Sequence, residues 1–156
     1  MDMPSFNDLE RSLNYAFNND RLLERALTRK AYANERAQQG QHIKDQEVLR
    51  TLGDAVLKAI LVDKLIHAGY ETRERVTTRK MELESEEGLA EIGRSIGIGD
   101  HLRLGIGERK LRAQTKSYVL AETLEAIIGA VYLDGGFNAA TGVVTHLFGE
   151  LMPQDE

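Results

Sequence analysis

Apolar residues in this chain recur at three- and four-residue spacing and almost never alternate. That pattern predicts helices throughout and no sheet. Ser5 and Asp8 mark a helix start, with Phe6, Leu9, Leu13 and Phe17 behind it. Asn19-Asp20 opens a second, short helix carrying Leu22, Leu23, Ala26 and Leu27. The stretch 33–44 is polar, holds Gln38-Gln39-Gly40-Gln41 and reads as a solvated loop. A long helix follows from about Asp45 to His67, ended by Ala68-Gly69. It is apolar on most of its circumference, from Val48 and Leu49 through Leu57, Ile60 and Leu61 to Leu65 and Ile66, which predicts a central position. Thr72 to Leu83 reads as a charged helix. Ser85, with Glu86 and Glu87 in the first turn, caps another that Gly97 stops. Asp100 to Gln114 reads as short turns. A second nearly all-apolar helix runs from about Ser117 to Leu133, closed by Asp134-Gly135-Gly136. Asn138 then caps a last helix to Leu151. The expected fold class is all-α, with two buried central helices.

Composition narrows this picture. A chain of 156 residues is long enough for one stable domain, here 1–156. With 42% hydrophobic and 29% charged residues it is not a disordered chain. Twenty basic against 25 acidic residues leave a net charge of −5, which excludes a histone-like coat but not a local basic patch. There is no cysteine, so disulfides, zinc–thiolate sites, iron–sulfur clusters and cysteine nucleophiles are excluded. The histidines, His42, His67, His101 and His146, are too scattered for a histidine metal site. The apolar run 55–66 is interrupted by Lys58, Asp63 and Lys64 and is shorter than the roughly 20 residues of a membrane span. Met1-Asp2-Met3-Pro4-Ser5 has no signal-peptide character. No membrane partner is expected, and the expected location is cytoplasmic.

The candidate chemistry lies in acids on the two apolar helices. Asp54 follows Leu52-Gly53 on the first; Glu122 and Glu125 sit three residues apart on the second, hence on one face. Charge inside a core must be paired, hydrogen-bonded or bound to a cation. If the two faces meet, three carboxylates converge, the hard oxygen set that Mg²⁺ or Mn²⁺ takes. The competing reading is plain: helical carboxylates usually face solvent, and Gly53 and Gly129 can serve close helix packing alone.

Four segments resemble the catalytic domain of the ribonuclease III family. Glu47-Val-Leu-Arg-Thr-Leu-Gly-Asp54-Ala-Val-Leu57 resembles the signature Glu-x-Leu-Glu-Phe-Leu-Gly-Asp-Ala/Ser-x-Leu. Leu120-Ala-Glu-Thr-Leu-Glu-Ala-Ile-Ile-Gly-Ala-Val-Tyr-Leu-Asp-Gly-Gly136 resembles the second signature, Leu-Ala-Asp-x-x-Glu-Ala-x-x-Gly-Ala-x-Tyr-Leu-Asp-x-Gly. Ala26-Leu-Thr-Arg-Lys-Ala-Tyr-Ala-Asn-Glu35 resembles Ala-Leu-Thr-His-Arg-Ser-Tyr-x-Asn-Glu, and Leu104-Gly-Ile-Gly-Glu108 resembles Leu-Gly-x-Gly-Glu. The match runs from about Leu9 to Leu151. It implies a homodimeric, Mg²⁺-dependent endonuclease domain (Mn²⁺ as a substitute) that cuts double-stranded RNA to 5′-phosphate and 3′-hydroxyl ends. Asp54 takes the place of the catalytic aspartate and Glu125 that of the metal-ligating glutamate, with Glu122 as third metal ligand.

The departures carry information. Glu122 stands for an aspartate, Arg29 for a histidine, Ala31 for a serine and Thr51 for an aromatic dimer anchor. Arg50 stands where the family has a metal-binding glutamate. An arginine keeps its charge. At an effective dielectric near 20 and a separation of about 5 Å, it opposes a divalent ion by roughly 6–7 kcal/mol. The i,i+4 spacing predicts that Arg50 pairs with Asp54, and Glu47 is a further partner or a holder of metal-bound water. No double-stranded-RNA-binding domain of the family's usual kind is expected, so RNA contacts are expected from Arg109, Lys110, Arg112 and Lys116. Arg79 and Lys80, with Arg73 and Arg75, are a second cationic set. The alternative to an active nuclease is a catalytically degenerate RNA-binding or ribonucleoprotein subunit of the same fold.

Overall fold

Two apolar helices pack against each other at the centre of the molecule, and most of the other elements gather around them. The structure is a computed structural model, and it describes residues 5–149. In chain order the helices are α1 (Phe6–Leu13), α2 (Asp20–Ala26), α3 (Lys30–Gln38), α4 (Glu47–His67), α5 (Arg73–Leu83), α6 (Glu86–Ser95), α7 (Ile106–Lys110) and α8 (Ser117–Phe148). Short 3₁₀ turns at Ile98–His101 and Ala113–Thr115 flank α7. Among the described residues the sole strand-like pairing is one parallel bridge between Thr28 and Arg103. The all-α expectation holds.

Local chemistry sets several boundaries. Ser5, Asn19 and Ser85 accept the backbone N–H of Asn7, Arg21 and Gly88, capping α1, α2 and α6 as their sequence context predicts. Thr72 does the same for Arg75 on α5. Leu49, Leu57, Ile60, Leu61 and Leu65 of α4 pack against Val119, Leu124, Ile127, Ile128 and Val131 of α8, all buried. Each such side chain contributes about 1.5–3 kcal/mol of transfer free energy. α8 has the length and apolarity of a membrane span. It, rather than 55–66, is the most apolar segment, and its apolar side chains fill the core.

Three expectations are corrected. The stretch 33–44 is not all loop, because α3 runs to Gln38 and ends in a turn at Gly40, φ +82°. α3 buries only Ala33, so it leaves almost no apolar stripe to read. It is held by polar contacts: Glu35 accepts the Ile106 N–H at 2.8 Å, and the guanidinium groups of Arg36 and Arg103 both lie within about 5 Å of the Tyr32 ring. Second, Asp134-Gly135 continues α8 instead of closing it; the break is at Gly136, φ 84°, which glycine tolerates. Asp134 faces the α1–α2 connection, accepting from the Tyr15 hydroxyl and from the N–H groups of Asn18 and Asn19. Third, Asn138 lies inside the helix that follows Gly136 rather than at its cap. The expected end at Leu151 lies outside the described residues.

Candidate active site

Glycine decides how closely the two central helices approach. A Cβ on Gly53 of α4 would overlap the backbone carbonyl of Glu125, and one on Gly129 of α8 would overlap the carbonyl of Leu49. The pair lets the two backbones touch, and the residue after Gly53 is Asp54. The Asp54 and Glu125 side chains therefore meet and hydrogen-bond to each other. Burial and the Asp54 carboxylate beside it push Glu125 up to about 8. Burial also acts to raise Asp54, but the Glu125 hydrogen bond and the Lys58 ammonium outweigh it and hold Asp54 below its ordinary value. The protonated form of Glu125 is thereby favoured, and it donates to Asp54. Two acids compressed this way share one proton, because burial and mutual repulsion disfavour ionising both at once without a cation.

Glu122, one turn before Glu125, does not join them. Its carboxylate is held by two guanidinium groups: Arg29 Nη1 at 2.8 Å and Arg50 Nη1 at 3.1 Å. Arg29 also donates to Glu108 Oε2 at 3.0 Å and to Gln46 Oε1 at 3.0 Å. Burial acts against its charge, and the Glu122 and Glu108 contacts more than compensate, so Arg29 holds its proton more firmly than usual. Gln46 is buried and fully committed, donating to the Ala26 carbonyl at 2.7 Å and to Thr123 Oγ1 at 3.2 Å. Glu108 closes the circuit by accepting the Gly105 N–H at 3.1 Å, which fixes the start of α7.

The expected pairing of Arg50 with Asp54 or Glu47 is thus overturned. Arg50 reaches across to α8 and Glu122, whose half-buried carboxylate is a better-desolvated partner than an exposed one on its own helix. Asp54 pairs with Lys58, at 2.7 Å. Glu47 lies exposed, 3.6 Å from Lys30. Asp54, Glu122 and Glu125 do not form one cage: among the described residues no three His, Asp or Glu side chains are gathered as a ready metal site. Asp54 with Glu125 still fits a hard divalent cation, which would replace their shared proton. Glu122 would join only on leaving its arginines.

Two sets of cations lie on elements that meet the site, through Glu108 on α7 and Glu84 after α5. Arg109, Lys110, Arg112 and Lys116 are exposed on α7 and the turn after it, next in chain to Glu108. On α5, Arg79 pairs with Glu82 at 3.3 Å, Lys80 with Glu84 at 3.2 Å, and Arg75 lies over Tyr70. Lys58 links this helix to the acids, standing 3.4 Å from Glu84 Oε2. Sequence reasoning missed Arg29, Gln46, Lys58, Glu84 and Glu108 as parts of the site. Lys58, at i+4 from Asp54, left a spacing signal, and Arg29 and Glu108 lie in segments that resemble the family; Gln46 and Glu84 are assembled by tertiary contact alone.

A family model described as ribonuclease-III-like matches residues 19–151. The chain is similar to the protein called Ribonuclease 3 of Oleidesulfovibrio alaskensis, 43% identical over 150 residues, covering 96% of this chain and 64% of that one. It is 41% identical over 141 residues to the Ribonuclease 3 of Syntrophotalea carbinolica, covering 90% and 60%. The chain thus spans somewhat under two thirds of these relatives. The nuclease domain of ribonuclease III from Campylobacter jejuni, a crystal structure, superposes with a TM-score of 0.85 at 30% identity, covering 99% of this chain and 100% of that one. A second structure of that domain, described as flexible in a region involved in dimer formation, gives 0.84 at 30% identity over 94% and 97%.

Proposed function

This chain belongs to the ribonuclease III family, and from that premise we propose that it is an endoribonuclease domain that hydrolyses double-stranded RNA with Mg²⁺, or Mn²⁺, held by Asp54 and Glu125. The single observation that supports this best is the shared hydrogen bond of those two carboxyls across the Gly53–Gly129 contact. A divalent ion supplies Lewis acidity to the phosphate and to the attacking water. The chain's own residues do the rest. With such an ion held there, Glu125 would be deprotonated and Asp54 would be free of Lys58. Arg50, 42% exposed at its side chain, is placed to turn from Glu122 to a non-bridging phosphate oxygen, where its fork makes paired hydrogen bonds. Arg109, Lys110, Arg112 and Lys116 carry no side-chain ion pair among the described residues and are available to backbone phosphates. Attack by water with departure of the 3′-oxygen leaves 5′-phosphate and 3′-hydroxyl ends.

A homodimer is part of this proposal. Val48, Thr51, Ala55 and Ile66 are exposed along one face of α4, with Val48 66% accessible. An apolar, unpartnered stripe of this kind suits a second copy. The second reading, a degenerate RNA-binding subunit, is favoured by the Arg29–Glu122–Arg50 clamp, which neutralises one acid. Purified protein incubated with a long RNA duplex and Mg²⁺, Mn²⁺ or EDTA separates the two readings. Metal-dependent fragments, lost in Asp54→Asn, support the enzyme; intact but bound duplex supports the subunit.

A further inference from the structure

Lys58 stands one turn after Asp54 on α4 and has two carboxylate neighbours on different helices. Its ammonium donates to Asp54 Oδ1 at 2.7 Å. Glu84, which follows the last residue of α5, places Oε2 3.4 Å from the same nitrogen. That oxygen is buried, with the Lys58 ammonium as its ion-pair partner but no hydrogen bond of good geometry, whereas Glu84 Oε1 accepts from Lys80 at 3.2 Å. A buried acceptor served only by a long, poorly aligned contact is costly and uncommon. Glu84 is therefore a half-filled acceptor beside an ammonium already engaged elsewhere.

The two neighbours differ in what else they could bind. Asp54 is one of the two carboxyls assigned above to a divalent cation, and Glu84 is not. An ammonium and a divalent cation cannot occupy the same carboxylate oxygen at small separation, since their repulsion is large even at high effective dielectric. Lysine has a long flexible stem and keeps its charge while its head moves. The second acceptor is already within ion-pair distance, so the change of partner requires no shift of α4 or α5.

We propose that Lys58 is a two-position internal counter-ion, paired with Asp54 while the site holds no cation and with Glu84 once a divalent cation takes Asp54. The inference rests on the assignment of the cation to Asp54 and Glu125. It has two effects. Lys58 lowers cation affinity, because it must be displaced. Glu84 restores part of that affinity, because it receives the displaced charge while Lys80 stays on its other oxygen. Cation loading is thereby linked to α5, the helix that carries Arg79 and Lys80.

Calorimetric Mn²⁺ titration of the full chain tests this, with the Mn²⁺-induced rise in melting temperature as a second readout. Lys58→Met is expected to bind Mn²⁺ roughly ten-fold more tightly than the wild type. Glu84→Gln is expected to bind it about three-fold more weakly, and in a Lys58→Met background the same Glu84→Gln change should alter affinity less than about two-fold. Equal or weaker binding by Lys58→Met overturns the inference. So does a full-size Glu84→Gln effect without Lys58, which would show that Glu84 acts through its charge alone. Circular dichroism in EDTA checks the helices, and Lys58→Gln replaces Lys58→Met if the latter loses helical signal. Asp54→Asn is the control for the assignment beneath. Unchanged Mn²⁺ binding there overturns the cation assignment and this inference together, whereas lost binding there with an unchanged Lys58 variant overturns the inference alone.

Discussion

Gly53 lies directly against the main chain of Glu125, and no other residue type fits there: a methyl group would overlap the Glu125 carbonyl oxygen. Gly129 meets Leu49 in the same way one turn along. The two contacts set the spacing of α4 and α8, and that spacing brings Asp54 to Glu125. Packing and chemistry are one feature here, because the glycines that allow the approach stand beside the acids that use it.

Gly129→Ala is therefore expected to act on both. The added carbon must push the helices apart, at a cost of about 2–4 kcal/mol. Chemical denaturation should show that loss. Mn²⁺ affinity should fall in the remaining folded protein, because the two carboxyls no longer meet. A fully stable Gly129→Ala protein would mean that the helices slide past the contact.

The raised Glu125 gives a pH dependence with a definite sign. Its folded value, about 8, lies above its ordinary 4.5. The stabilisation it contributes is complete below pH 4.5 and is lost as pH climbs to about 8. Melts in EDTA should accordingly fall across that interval. The depressed Asp54 acts the other way, contributing above its ordinary value of 3.8 and losing its contribution in stronger acid. Lys58 and Arg50 also face Glu125 and oppose its rise. Since Glu125 must release its proton to a cation, Mn²⁺ affinity should increase by up to about ten-fold per pH unit below pH 8. A pH-independent affinity between pH 6 and 8 would show that Glu125 is not a ligand.

Arg50→Glu tests the clamp on Glu122. It removes one of two guanidinium partners and adds an acid, so Mn²⁺ should bind at least about ten-fold more tightly. Melting in EDTA should fall, because Glu122 would then rely on Arg29 alone. Equal Mn²⁺ affinity would place Arg50 outside the influence of the cation.

The exposed face of α4 predicts the assembly state. Sedimentation at tens of micromolar should show a dimer, and Val48→Asp should weaken it more than about ten-fold, because a charge would be buried at the interface. Thr51 should limit the strength of the wild-type pair, since it offers little area where an aromatic would anchor. Monomer alone at that concentration would remove the dimer from the proposal.

The amino-acid pattern by itself determined the helices that carry a broad apolar surface, α4 and α8, and those with side-chain caps, α1, α2 and α6. These features are local: spacing of Leu and Ile, and Ser or Asn ahead of a first turn. It also marked Asp54, Glu122 and Glu125, because acids within apolar helices stand out in one dimension. Tertiary structure alone decided what each acid does. Glu122 and Glu125 are one turn apart and alike in sequence, yet Glu125 meets Asp54 while Glu122 meets Arg29 and Arg50. Arg29 comes from just before α3, oriented by a buried Gln46; its segment marks it as a departure from the family pattern, but nothing there announces Glu122 as its partner. α3 escaped notice for the same reason, being held by Tyr32 and Glu35 contacts with residues 103 and 106. Helix periodicity follows from bonds along the chain. The partner of a charge is set by which helix faces it, at what distance and with how much water excluded, and those quantities exist only once the chain has folded.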